Sequence, residues 1–311
     1  MEDCEEMISL VQSISVEIQQ IEDQGMTMEF DVVGIMASVA NAIRRALLVE
    51  VPSMAPETIM LQQNKSVMQD EVLGHRIGLI PFKADPRKFK FRALKAKTDH
   101  PDVALLFELK VTAPKQPLKS EKRFTNTKVY TKDFKWIPHH EHSPLMDESA
   151  IRPVSEEILV NILRPSQEMD LRIHVVKGIG KDHIKFCPVS LASYRMLPTI
   201  ALRWPVEGED AARLQACFSP GVITIDVNEE GVQSARVADP RKDSGSQNYL
   251  RESKRIVSAL DIGTEKDHFV FSIESIGALN VVALVKEASI ILKSRCEYHY
   301  LSIGCQQPEA K

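Results

Sequence analysis

His139, His140, Glu141 and His142 put three imidazoles and a carboxylate in four consecutive positions, donor types that hold zinc or a similar divalent ion. Adjacent residues on irregular backbone point in different directions, however, whereas zinc ligands are normally spaced by two to four residues and converge with others. The segment reads as a solvated polar loop, with a metal-dependent enzyme built on His139, His140 and His142 as the rival reading. Lys177-Gly178-Ile179-Gly180-Lys181-Asp182 has the two glycines and flanking lysines of a phosphate loop. It lacks the spacing of either nucleotide fingerprint, and no Lys-Ser or Lys-Thr pair opens a helix after it, so a tight turn following a strand that ends near Val176 is expected. No serine or cysteine sits in a recognised nucleophile elbow, and no carboxylate pair has positions that the sequence fixes. The expectation is a chain that is not an enzyme and carries no cofactor. Residues 115–135, with Phe124, Tyr130, Phe134 and Trp136 interleaved, are the best candidate for touching nucleic acid. Residues 114–136 hold seven Lys or Arg against two acids. That charge suffices for a weak phosphate contact, although such runs are commonly solvated surface, and the whole section is expected as an exposed loop or hairpin.

The whole chain narrows the choice. Its 311 residues, 43% of them hydrophobic, can bury a full core and suggest roughly two domains. A net charge of -4 and a sequence pI of 6.2 argue against a dedicated nucleic-acid binder, so DNA would be met only through partners. The five cysteines, Cys4, Cys187, Cys217, Cys296 and Cys305, are odd in number and widely spaced, which suits neither a disulfide framework nor a zinc knuckle. No apolar run reaches membrane-spanning length and the first residues are acidic, so neither export nor membrane insertion is expected.

The elements that position these groups follow from periodicity. Ile14, Val16 and Ile18 alternate, Asp23-Gln24-Gly25 turns, and Met26, Met28 and Phe30 alternate again, which predicts a hairpin. Beyond Gly34 the period becomes helical, with Met36, Val39, Ala40, Ile43 and Leu47 on one stripe until Pro52. A strand over Ile59, Leu61 and Gln63, a turn at Asn64-Lys65-Ser66 and a short polar helix over residues 70–75 come next. Val103, Leu105, Phe107, Leu109 and Val111 share one strand face. Further strands are expected at 158–163 and 171–176, and a hairpin joins 222–227 to 232–237. Near the end Phe269, Phe271 and Ile273 alternate, then a long helix carries Val281, Leu284, Val285, Ala288, Ile291 and Leu292 on one stripe. Two amphipathic helices thus lie near opposite ends of the chain, and one small sheet covers only part of what they present. The surplus points to a second chain, with packing inside this chain's own core as the alternative.

Residues 30–82 resemble the signature of the α and α-like subunits of cellular RNA polymerases. The resemblance rests on Asn41-Ala42-Ile43-Arg44-Arg45, Glu50-Val51-Pro52, the Asn64 to Ser66 turn, Asp70-Glu71 and His75-Arg76-Ile77-Gly78-Leu79-Ile80-Pro81, in order and at matching spacing. It is most similar to the larger α-like subunit shared by RNA polymerases I and III, through 84–87 (ADPR), 136–138 (WIP), 151–154 (IRPV), 177–183 (KGIGKDH), 192–198 (ASYRMLP), 218–223 (FSPGVI), 235–241 (ARVADPR) and 267–275.

The resemblance implies an α+β fold with a split dimerisation domain. Its pieces would be 1–63, 185–197 and 264–311, interrupted by a β-rich insert domain at 64–184 and a smaller insertion at 198–263. It implies a scaffold subunit that pairs with the smaller α-like subunit and docks the second-largest subunit and a small zinc-binding subunit, in the nucleus including the nucleolus. Met36, Val39, Ala40, Ile43, Leu47, Val281, Leu284, Val285, Ala288, Ile291 and Leu292 would form the dimer interface. Arg44, Arg45, Asp70, Glu71, His75 and Arg76 would reach the large subunit, with local capping or intrachain pairing as the alternative. The cysteine cluster of the polymerase II counterpart is missing from 64–184, and Cys187 and Cys217 cannot supply the iron-sulfur cluster of some archaeal relatives. Family members usually carry a longer N-terminal segment, so the resemblance leaves open the contacts made by that arm.

Overall fold

A computed structural model describes residues 13–92, 102–115, 126–138, 151–227 and 231–304. In chain order the strands are β1 (Ser15–Glu22), β2 (Thr27–Val33), β3 (Pro52–Asn64), β4 (Phe82–Lys83), β5 (Ala104–Thr112), β6 (Thr127–Tyr130), β7 (Lys135–Ile137), β8 (Arg152–Pro153), β9 (Leu159–Leu163), β10 (Glu168–Ile179), β11 (Val189–Leu202), β12 (Ile223–Val227), β13 (Gln233–Val237) and β14 (Leu260–Ser275). The helices are α1 (Ala37–Val49), α2 (Asp70–Gly78), α3 (Glu209–Cys217), α4 (Lys254–Ala259) and α5 (Val281–Gly304). One sheet has the order β1-β2-β14-β11 and a second β3-β10-β5-β7, with two-stranded pairs β12-β13, β4-β8 and β6-β9. The fold is α+β with antiparallel pairing.

The chain divides into two compact units, one drawn from residues 1–19, 29–41 and 194–271 and the other from 20–28, 42–193 and 272–311. In the second unit β10 pairs with β3 over Met169–Ile179 on one side and with β5 over Glu168–Val176 on the other. Met169, Leu171, Ile173 and Val175 of β10 and Leu105, Phe107 and Leu109 of β5 are buried in its core, as period-2 alternation requires. Each such side chain contributes about 1.5–3 kcal/mol by leaving water. This sheet begins at Pro52, which opens a strand as well as ending a helix.

In the first unit Phe30 of β2 stacks on Phe271 of β14 with centroids 5.1 Å apart, and Tyr194 meets Phe269 edge-on at 5.6 Å. Ile200, Leu214, Val222, Ile223, Ile256 and Leu260 belong to a separate hydrophobic core cluster of this unit. The β12-β13 hairpin forms as expected, with Ile223 opposite Val237. Asp23-Gln24-Gly25 does turn the chain, and Gly25 adopts φ +88°, a conformation that glycine takes without cost.

Two sequence expectations need correction. The lysine-rich section 114–136 is not simply a loop: β6 and β7 lie in it, and Phe134 is buried with its ring parallel to Phe82 at 6.1 Å. An aromatic that completes a core is not a platform for bases, and Tyr130 and Trp136 are half-buried, so the nucleic-acid reading loses most of its stacking surface. Phe124, like His139, His140, Glu141 and His142, lies outside the described residues. In the second correction, the strand expected to end near Val176 runs on to Ile179. The glycines of 177–182 are there for close approach: a Cβ on Gly180 would stand 2.2 Å from the Leu48 carbonyl oxygen, and one on Gly178 2.7 Å from the Phe186 ring. Lys177 donates to the Phe89 carbonyl at 3.2 Å and lies over the Phe91 ring, and its partial burial pushes its ammonium pKa down. The segment's charge and glycines serve packing.

Candidate partner-docking surfaces

Helix α1 ends in Leu-Leu-Val before the Pro52 corner, and Ala40, Ala46 and Leu47 are at most 1% exposed. Val281, Leu284 and Ala288 of α5 are wholly buried. The chain's own core therefore already covers Ala40, Leu47, Val281, Leu284 and Ala288, and a residue with no exposed area has none to give to a partner. That corrects the expected interface at these five positions. Ile43, Val285, Ile291 and Leu292 are half-buried, whereas Met36 is 65% and Val39 41% exposed. The outer length of α5 adds apolar side chains open to water, with Ile290, Tyr298, Leu301 and Ile303 all more than half exposed. Helix α5 is fastened near its middle by an ion pair between Arg295 and Glu50.

The second surface surrounds α2. The Asn64 carboxamide accepts from the Ser66 backbone at 3.1 Å and donates to the Met68 carbonyl at 2.9 Å and to the Asp70 carboxylate at 2.7 Å, which sets the helix entry. Asp70 and Glu71 in the first turn and His75 and Arg76 in the last complement the helix dipole. Leu73 and Ile77 anchor the inner face. Glu71, Gly74 and His75 line a groove of about 770 Å³ whose other walls are Glu57 and Ile59 of β3 and the turn at His183, Ile184 and Lys185. Leu79 and Ile184 stand on its rim, 60% and 69% exposed. Lys185 donates to the Pro56 carbonyl at 2.8 Å and pairs with Glu57. Arg76 points elsewhere: its guanidinium donates to the Leu159 carbonyl at 2.7 Å and that of Val160 at 3.3 Å, so its fork is engaged within the chain. Arg45 is exposed and Arg44 half-buried.

A cluster that sequence reasoning missed lies in the first unit. The Asp31 side chain, 4% exposed, accepts from Arg241 at 2.5 and 2.7 Å, from His268 Nε2 at 3.0 Å and from Gln19 at 3.3 Å. The other arm of Arg241 donates to Glu29 at 2.7 Å, and His268 Nδ1 faces Glu265 at 3.2 Å. Burial by itself would raise the Asp31 pKa, but the hydrogen bonds from Arg241 and His268 prevail and hold it below the usual carboxylate value. The signal was present in the sequence: Ala-Asp-Pro-Arg-Lys occurs twice, at 84–88 and 238–242.

Among the described residues no group of three or more His, Cys, Asp or Glu is placed to hold a metal ion, and no helix is long and apolar enough to cross a membrane. Cys187 and Cys217 are buried free thiols whose pKa burial pushes up, which keeps them protonated and unreactive.

The chain is an antiparallel α+β protein whose α5 leaves a row of apolar side chains open to water. A family model described as the RNA polymerase Rpb3/Rpb11 dimerisation domain matches residues 29–296, and the chain belongs to that family. It is 45% identical over 287 residues to a Mus musculus protein named DNA-directed RNA polymerases I and III subunit RPAC1, covering 90% of this chain and 82% of the relative. The protein of the same name in Saccharomyces cerevisiae is 40% identical over 278 residues, covering 86% and 82%. A Dictyostelium discoideum protein named DNA-directed RNA polymerase II subunit rpb3 is 27% identical over 275 residues, covering 83% and 85%.

Proposed function

We propose that the chain is a non-catalytic scaffold subunit shared by RNA polymerases I and III, acting in the nucleus and nucleolus, and that it pairs with a smaller α-like subunit. The observation that carries the reading is the uncovered apolar surface of Met36, Val39 and the outer part of α5 on a chain of this family. Large apolar side chains left open to water on a folded chain of a dimerising family fit an interface, and obligate interfaces are large and core-like. Ile43, Val285, Ile291 and Leu292, half-buried in the single chain, would complete their burial there.

The groove beside α2 is the proposed seat of the second-largest subunit, with Glu71, His75 and Asp70 offering polar partners and Leu79 and Ile184 an apolar rim. Arg44 and Arg45 extend that proposal along α1, and Arg76 supports it from inside by fixing β9. A small zinc-binding subunit is a further proposed neighbour, and DNA is reached only through the complex. Affinity purification of the tagged chain from nuclear extract tests the reading. Recovery of the largest subunits of both polymerase I and polymerase III is expected, and recovery of a single polymerase, or of none, contradicts it.

A further inference from the structure

The smaller insertion has a face that the scaffold reading does not use. The backbone N–H of Arg203 donates to the Ala259 carbonyl at 2.8 Å, which lays Arg203 and Trp204 beside the end of α4. Ile256 and Ala259 of α4 are wholly buried, so Lys254, Arg255 and Ser258 are turned outward. Arg251 precedes the helix, and Ser253 caps it by accepting from the Ile256 backbone at 3.5 Å. Arg203, Arg251, Lys254 and Arg255 are all exposed, and Trp204 is 41% exposed. Among the described residues Arg251, Lys254 and Arg255 have no carboxylate within ion-pair distance, and Arg203 meets only Asp261 at 3.5 Å with both side chains more than half exposed. A surface pair of that kind is worth little and is readily exchanged for a better carboxylate.

We propose that this face docks an acidic peptide segment of a partner protein, with the arginines and lysine pairing its carboxylates and Trp204 covering an apolar side chain between them. Charge complementarity selects the occupant. Four cations on a chain whose net charge is -4 make a local attraction for a short acidic stretch, whereas a nucleic acid brings phosphates along its whole length into a negative overall field. Arginine forks match carboxylates two bonds at a time, and a half-exposed indole gives contact area at low conformational cost.

The test uses the full chain, at about 0.1 M salt so that surface charges are only partly screened. The probe is a fluorescein-labelled decapeptide of alternating Asp and Glu with one central Leu, read by anisotropy. Relative to the parent chain, R251E/R255E should weaken binding at least tenfold and Trp204→Ala severalfold, while K128E/K132E, on another exposed segment, should leave it unchanged. The neutral pair R251Q/R255Q repeats the measurement should charge reversal disturb folding. Equal affinity in the patch variants, an equal loss in the Lys128 and Lys132 control, or tighter binding of a ten-nucleotide oligouridylate than of the peptide would overturn the proposal. The readout needs no polymerase partner, so it stands or falls separately from the scaffold reading.

Discussion

Arg241 leaves its own turn to reach Asp31 and Glu29, while Arg87, in an identical pentapeptide, folds back on Asp85 with two bonds of 2.8 Å. Both turns are built alike, with the Asp side chain accepting from the Arg backbone N–H at 3.0 Å in one and 3.1 Å in the other. The surroundings decide the difference: an acid already desolvated on β2 is a stronger acceptor for Arg241 than a solvated neighbour would be. Arg241→Ala would strand the Asp31 charge, and a loss of roughly 3 kcal/mol in urea unfolding is expected, at the low end for a buried pair because the Arg241 side chain keeps 23% exposure. The Asp31 pKa is lowered in the fold, so its stabilisation is present above the unfolded value of about 3.9 and is lost as the pH falls through the folded value. Asp31→Asn should therefore be less stable than the parent at pH 7, and the difference should shrink on acidification below about pH 4, read by thermal melting at a series of pH values. Arg241 stood out in the sequence through the repeated Ala-Asp-Pro-Arg-Lys, but its pairing with Asp31 was not legible, because the two residues lie far apart in the chain and pairing is a matter of tertiary fold. Gly180 was legible as unusual but was open to two readings, and only the approach of the Leu48 carbonyl explains it. Gly180→Ala should unfold the chain at lower urea, since that contact is with backbone that cannot step aside.

At the scale of elements, alternation and helical period located both amphipathic helices and the strands around them, because burial on one face writes its period into the chain. Period does not say who covers a stripe. Leu284 and Ile291 lie on the same stripe of α5, yet the first is fully buried in this chain and the second only half. Substitution separates the two roles. Leu284→Asp places a charge in the chain's own core and should cost stability in the isolated chain. Met36→Asp and Val39→Asp touch residues that are already exposed, so the isolated variants should melt like the parent while their affinity for the smaller α-like subunit falls by at least tenfold, measured by calorimetric titration. Equal affinity of these variants and the parent would move the interface away from α1. The aromatic residues of 115–135 show the reverse failure, since a run rich in lysine conceals a ring that belongs to the core.

For the whole molecule, the motifs of residues 30–82 were specific enough to give the family, and the antiparallel α+β architecture follows from the strand and helix periods together. Which surface each partner takes was not legible, because exposure is a property of the folded chain and not of its pattern. The apolar side chains that α1 and α5 leave open to water are the ones a second chain is expected to cover. Hydrogen exchange of the full chain, alone and after mixing with the smaller α-like subunit, measures this directly. The account predicts a one-to-one complex in which amides of α5 and of the first turns of α1 gain strong protection while those of β12 and β13 do not change. A chain that stays monomeric in the mixture, with the exchange of α1 and α5 unaltered, would contradict it.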